Sequence, residues 1–229
     1  FNGMSRKYVK TAFILLFIGY VKKVLIADNI GLIVDPHFTN YSQLTSFQAL
    51  FALILFSLQI YFDFSGYSDI ARGLAFLFGI KLMINFNQPY FSKSPSEFWR
   101  RWHISLSTWL RDYLYIPLGG NRCGSLRTNI NLMVTMLLGG LWHGASWNFV
   151  LWGGLHGIYL IFNKIIANSF SFKGTINNQP IITLGKVFFT YTLILITWLP
   201  FRVKDINVTY SIMNKFLNWT GCVNYGDIM

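Results

Sequence analysis

Residues 128–163 contain no Asp, Glu, Lys or Arg. A bilayer hydrocarbon core of about 30 Å is crossed by about 20 apolar residues in a helix. The run is therefore too long for one span and suited to two short ones. Gly139-Gly140 and Gly144 lie near its middle, which predicts helices near 128–142 and 146–166. Two further uncharged runs cover 38–62 and 187–201. Composition agrees: 53% of residues are hydrophobic, 18% aromatic and only 12% charged. A soluble domain carries about 25% charged residues, and disorder requires high charge with low hydrophobicity. Both classes are excluded. What remains is an all-α, polytopic integral membrane protein: a helix bundle with interfacial or re-entrant helices.

The apolar run Thr11–Tyr20 is short and is followed by Lys22 and Lys23. It reads as a helix near 8–27, tilted or buried among others. Thr45 and Gln48 match a capping box, so a span should start near Ser46. Asp63 then falls 17 residues in, about 26 Å along the axis, and Ser65-Gly66 allows a break. A shorter helix would cover 68–80, with Asp69 and Arg72 spaced i,i+3. Residues 82–127 change character, with prolines, glycines, six basic residues and several Trp and Tyr. The excess of basic residues places this segment on the cytoplasmic side. Ser94-Pro95-x-Glu97 is a helix start, and amphipathic helices at the interface or dipping into the protein are expected here. A last span is expected near 181–201, and the tail 203–229 has no assigned structure.

The formal net charge is +11. No basic helix or aromatic-basic motif points to nucleic acid, so the charge reads as cytoplasmic loops facing anionic lipid headgroups. Cys123 and Cys222 form neither a disulfide framework nor a metal pattern. His-Glu-x-x-His, a Gly-rich phosphate loop and Gly-x-Ser-x-Gly are absent, against metalloprotease, ATPase and serine hydrolase chemistry of those kinds. No metal site is expected.

Four histidines remain: His37, His103, His143 and His156. His143 lies about 22 Å beyond Thr128 on a helical path, past the middle of the hydrocarbon. An ionisable group there is a functional candidate. Burial would keep it neutral, as a general base requires. An equally open reading is a neutral ring tied to a carbonyl freed by the adjacent glycines. His156, 13 residues later, reads first as a packing or hydrogen-bonding histidine. His103 is either an interfacial histidine beside Trp102 or a second catalytic or donor-orienting group. Arg100, Arg101, Arg111 and Arg122 are either surface charges or ligands for the phosphates of an acyl carrier. Asp63 and Asp69 are six apart, poor spacing for one face, and pairing with Arg72 or another intramembrane base is preferred. His37 follows Pro36, is expected in a loop and is assigned no role.

Several long blocks occur in order. They are Gln59-Ile60-Tyr61-Phe62-Asp63-Phe64-Ser65-Gly66-Tyr67-Ser68-Asp69, Asn85-Phe86-Asn87-Gln88-Pro89-Tyr90, Glu97-Phe98-Trp99-Arg100-Arg101-Trp102-His103-Ile104-Ser105, Arg111-Asp112-Tyr113-Leu114-Tyr115-Ile116-Pro117-Leu118-Gly119-Gly120-Asn121-Arg122, Gly140-Leu141-Trp142-His143-Gly144-Ala145 and Trp152-Gly153-Gly154-Leu155-His156-Gly157. Together they resemble the membrane-bound O-acyltransferase (MBOAT) family, closest to the bacterial branch typified by the membrane subunit of alginate O-acetyltransferase. The block from Arg111 looks more like the polysaccharide and peptidoglycan O-acetyltransferases than the teichoic-acid D-alanyl transfer proteins.

The resemblance implies an acyltransferase that moves an acetyl group from acetyl-coenzyme A to hydroxyls of an extracytoplasmic polysaccharide: alginate, peptidoglycan or another exopolysaccharide. The family's essential histidine falls on His143 and its second histidine on His103. A funnel or tunnel meeting near the histidine, a periplasmic partner protein that finishes transfer, and a multi-pass place in the bacterial inner membrane are implied as well. No bound cofactor is expected; acetyl-coenzyme A is a substrate. The chain opens at Phe1 and has about half a family member's length, so residues 1–229 are expected to be a single membrane domain from the central to C-terminal part of a longer chain. A membrane transporter or channel, or an inactive truncated remnant, are the competing readings.

Overall fold

The computed structural model describes residues 6–169 and 179–219, so Cys222 lies outside the described residues. Among these the regular structure is all helix, without strands. Three helices are long and apolar enough to cross a membrane: Ser46–Leu77, Trp147–Ala167 and Pro180–Arg202. The chain divides into two compact units, residues 1–84 with 207–229, and residues 85–206.

In the first unit, α1 (Arg6–Tyr20) runs through a wider π-helical stretch, Val21–Ala27, into α2 (Asp28–Thr39). The helix expected over 8–27 is thus one part of a longer helical path. Pro36 does not end it, because α2 stops three residues later and only one backbone bond is forfeited there. His37 accordingly sits in the last helical turn, with Nδ1 2.7 Å from the Ile33 carbonyl, and not in a loop.

Helix α3 (Ser46–Leu77) starts as the sequence predicts. The Gln48 N–H donates to Thr45 Oγ1 at 3.2 Å, and the Thr45 N–H donates to Gln48 Oε1 at 3.0 Å. It does not break at Ser65-Gly66, and no separate helix covers 68–80. The reason is steric. A Cβ on Gly66 would stand 2.8 Å from the Gly19 carbonyl oxygen, and one on Gly73 would stand 2.9 Å from that of Ala12. These glycines let two backbones approach, as small residues do between membrane helices; they are not turn residues. Polar pairs reinforce the contact. Lys22 donates to Asp69 at 2.6 Å, Arg72 to Asp69 at 3.2 Å, and Lys23 to both Asp63 and, at 2.9 Å, Asp28. Asp63 and Asp69 are thus ion-paired, each with a lysine of the preceding helical path.

In the second unit, α4 (Pro95–Arg101) is capped by Ser94, whose Oγ accepts from the Glu97 N–H at 3.2 Å. Helix α5 (Ile104–Leu110) follows at once, and a π-helical turn (Arg111–Tyr115) prolongs it. The two expected helices in the uncharged run are α6 (Gly124–His143) and α7 (Trp147–Ser169). They pack closely: a Cβ on Gly140 would lie 2.2 Å from the Phe149 carbonyl oxygen, and one on Gly153 would lie 2.3 Å from that of Met136. Thr128, Asn131 and Thr135 of α6 are buried, which explains why α6 is less apolar than the three spans. Helix α8 (Pro180–Arg202) completes this unit. The chain then returns to the first unit with α9 (Ile206–Asn218). There Lys215 Nζ donates to the carbonyls of Tyr41, Ser42 and Leu44 at 2.7–2.9 Å.

Candidate active site

The second unit concentrates three of the four histidines. His143 closes α6, whose start at Gly124 puts it about 28 Å along the axis, one hydrocarbon thickness and not the 22 Å counted from Thr128. It is half-buried, and its surroundings are aromatic. The ring meets Trp152 at a centroid distance of 5.1 Å and Phe201 at 5.1 Å, both edge-to-face, and Phe149 at 5.9 Å. Trp152 and Phe149 come from α7 and Phe201 from α8, so the close α6–α7 contact at Gly140 and Gly153 is what sets His143 against its wall. Trp142, its sequence neighbour, points outward and is 62% exposed.

His103 occupies the junction of α4 and α5 in a left-handed conformation, φ 43°. Such backbone is uncommon for a residue with a Cβ and costs of order 1–3 kcal/mol. The surroundings over-determine it. The Ile104 N–H donates to the Asn85 carbonyl at 3.0 Å and the Ser105 N–H to Asn85 Oδ1 at 3.1 Å. The Leu106 N–H donates to His103 Nδ1 at 3.4 Å, and the Ser107 N–H to the His103 carbonyl at 2.9 Å. The N–H groups of Ile104, Ser105 and Leu106, which a helix start leaves without intrahelical partners, are therefore satisfied by two residues, Asn85 and His103.

The two histidines feel one another. Burial, and next the charge that His143 would carry if protonated, push the His103 pKa from 6.5 down to about 4. His103 is therefore a neutral imidazole at physiological pH. Asn87, whose N–H donates to the Arg101 carbonyl at 2.9 Å, fixes the same junction from the other side.

His156 is different. It is fully buried, accepts at Nδ1 from Trp99 Nε1 at 3.2 Å, and lies parallel to Phe98 at 6.1 Å. It also meets Trp152 edge-on at 4.7 Å. This is a packing and hydrogen-bonding histidine, in line with its first reading. Through Trp152 it belongs to the same aromatic wall as His143, and Trp102, Trp198 and Phe201 continue that wall at centroid distances of 5.0 and 5.4 Å.

Two hollows flank the cluster. One of about 700 Å³ is lined by Leu141, Ala145, Ser146, Trp147, Val150, Lys204, Asp205 and Ile206, at the end of α6 that carries His143. A smaller one of about 160 Å³, lined by Trp99, Ser107, Leu110, Arg111 and Met136 among others, lies under α5. Among the arginines weighed for phosphate binding, Arg101 pairs with Glu97 at 2.6 Å and Arg111 with Asp112 at 2.7 Å. No group of His, Cys, Asp and Glu suited to a metal ion occurs among the described residues.

Asn85, Trp152 and Phe201 carry no role in the sequence reading. Asn85 is 18 residues from His103, and no local periodicity joins them. The blocks Asn85–Tyr90 and Trp152–Gly157 were the available signal, and each positions a histidine.

Comparison with known proteins finds relatives named for acyl transfer. The chain is 47% identical over 205 residues to the Azotobacter vinelandii protein named probable alginate O-acetylase, covering 88% of this chain and 40% of that relative. It is 41% identical over 207 residues to the Helicobacter pylori peptidoglycan O-acetyltransferase, covering 89% and 38%. It is 32% identical over 158 residues to the Bacillus subtilis teichoic acid D-alanyltransferase, covering 63% and 38%. The chain thus spans about two-fifths of the length of these curated relatives. Residues 3–202 match the family described as MBOAT, membrane-bound O-acyltransferase, and this membrane protein belongs to that family.

Proposed function

We propose that the chain is the catalytic portion of an O-acyltransferase that moves an acetyl group from acetyl-coenzyme A to hydroxyls of an extracytoplasmic polysaccharide. What supports this reading is His143 at the end of α6, walled by Phe149, Trp152 and Phe201, with His103 of a separate element near enough for a charge on His143 to act on it. Relatives named for alginate and peptidoglycan O-acetylation support an acetyl group and a glycan acceptor. The enzyme would reside as a multi-pass protein in the bacterial inner membrane, with a periplasmic acetyltransferase partner completing delivery to the glycan.

His143 is the general base. As the acceptor oxygen attacks the thioester carbonyl carbon, His143 takes the hydroxyl proton. When the tetrahedral intermediate expels the thiolate, the same ring returns that proton to sulfur, leaving an ester and a thiol. Positioned proton transfer contributes about 10²–10⁴ in rate. The aromatic wall excludes water that would otherwise compete for the acyl group. His103 assists from the facing element.

The test is His143→Ala in the full-length parent. Protein level should hold while ester-linked acetate on the purified glycan falls by at least two orders of magnitude. Normal acetylation in that variant would defeat the assignment.

A further inference from the structure

We propose that α9 is a membrane-surface helix. It lies flat in the leaflet at the Ser46 end of α3, with Tyr210, Met213 and Leu217 among the lipid tails and its asparagines toward water. This seat in the bilayer is independent of the acyl-transfer chemistry above.

Helix α9 has three faces. At 3.6 residues per turn, Thr209, Ile212, Lys215 and Phe216 share the face turned toward the protein. Thr209 and Ile212 are buried there. Lys215, the only charge in the helix, commits its ammonium to the carbonyls of Tyr41, Ser42 and Leu44. On the second face, Ile206, Tyr210, Met213 and Leu217 fall within a sector of about 60°. Tyr210 is 74% and Leu217 81% exposed. Beside them, Asn207, Asn214 and Asn218 fall within about 40°. All three are exposed, and Asn218 Nδ2 donates to Asn214 Oδ1 at 2.8 Å. One outward face is therefore apolar, its neighbour polar, and neither is charged.

Position decides what meets those faces. Ser46 Oγ donates to the Lys215 carbonyl at 2.9 Å, and the three carbonyls held by Lys215 lie just before α3. Helix α9 is thus anchored at the Ser46 end of a helix able to cross the membrane. That end is the apolar one, since the first charge along α3 is Asp63. Phe47 and Phe51, in its first two turns, are exposed and face lipid. The boundary between hydrocarbon and water therefore falls at the level of α9.

Length excludes a crossing. The 13 residues of α9 extend about 20 Å, short of the hydrocarbon core of about 30 Å, and asparagines sunk in lipid would lose their hydrogen bonds to water. Lying along the boundary satisfies both outward faces at once, as it does for amphipathic surface helices. Tyr210, and the exposed Trp219 just after the helix, are of the types that collect at headgroup level. The basic face common in such helices is missing. Attachment therefore rests on apolar burial and aromatic anchoring, and not on attraction to anionic headgroups.

Nitroxide labels on the full-length parent in lipid nanodiscs, with its native cysteines replaced by serine, test this. The variants are Tyr210→Cys, Met213→Cys, Leu217→Cys, Asn214→Cys and Asn218→Cys. All five sites are exposed, so a label displaces no packed neighbour, and Phe51→Cys supplies the lipid-facing reference. Oxygen, which concentrates in hydrocarbon, should relax labels at positions 210, 213 and 217 more than a water-soluble nickel chelate does, as at position 51. The order should reverse at 214 and 218. Labels at 210 and 217 should report the same depth, whereas an upright helix would separate them by about 10 Å and overturn the flat seat. Depths should be equal in phosphatidylcholine and in phosphatidylglycerol nanodiscs; a seat that deepens with the anionic lipid overturns the charge-independent attachment. Nickel-favoured relaxation at 210, 213 and 217 would mean that water covers the stripe. Exclusion of both reagents there would mean that protein covers it, from another segment of the longer chain or from a partner. Either result overturns the membrane-surface assignment.

Discussion

His103 ties local backbone to chemistry. Its folded-state pKa, about 4, lies below the 6.5 of an exposed ring. Between those values the unfolded chain binds a proton that the folded chain does not. The stability from keeping this ring neutral is therefore complete above pH 6.5 and drains away as pH falls through 6.5 toward 4. Thermal unfolding of the detergent-solubilised parent should show a lower Tm at pH 4.5 than at pH 7, with a smaller drop in His103→Gln. Asn85 should matter for the same junction: Asn85→Ala leaves the half-buried Ser105 N–H without its acceptor at 3.1 Å, a loss of about 1 kcal/mol. A lower kcat with unchanged acetyl-coenzyme A KM would mark it as a positioning residue. At this scale His143 was readable, because a histidine in a 36-residue uncharged run stands out. The clamp on His103 was not, since it depends on a left-handed turn and an asparagine 18 positions away.

Helices meet in this protein through what is missing from their surfaces. The glycines at 139–140 suggested a pause between two helices, and a pause does follow, from 144 to 146. Their main role lies elsewhere: Gly140 gives α7 room to approach. Gly140→Ala would press a methyl against the Phe149 carbonyl at 2.2 Å. It should cost about 1–3 kcal/mol by overpacking and reduce activity by shifting His143 from Trp152. Gly185→Ala in α8 meets nothing within 4 Å, and should be neutral or stabilising by about 0.5–1 kcal/mol. Thermal melts of the two variants side by side would expose any error in the α6–α7 contact. The Ser65-Gly66 break failed for the same reason, since a glycine required for close approach leaves the same mark in sequence as one required for a turn. The Thr45–Gln48 and Ser94–Glu97 starts were legible because a cap is a contact within three residues.

For the whole chain, membrane character and helical class were evident from the scarcity of charge. Alkaline carbonate should leave the parent protein in the membrane pellet, with detergent needed to release it; recovery in the supernatant would contradict the three spans. The division into two units was not evident, because the first unit is discontinuous in sequence. Its last helix, α9, carries the lysine that answers the carbonyls of Tyr41, Ser42 and Leu44. On the ribosome, residues 85–206 emerge before that lysine exists. The early helices must therefore wait in the bilayer, unclosed, while the histidine-bearing portion is made. A nascent chain stalled short of residue 206 would display an unlatched first unit to quality-control proteases, so pulse-chase turnover of such truncations should be faster than that of chains reaching Asn218.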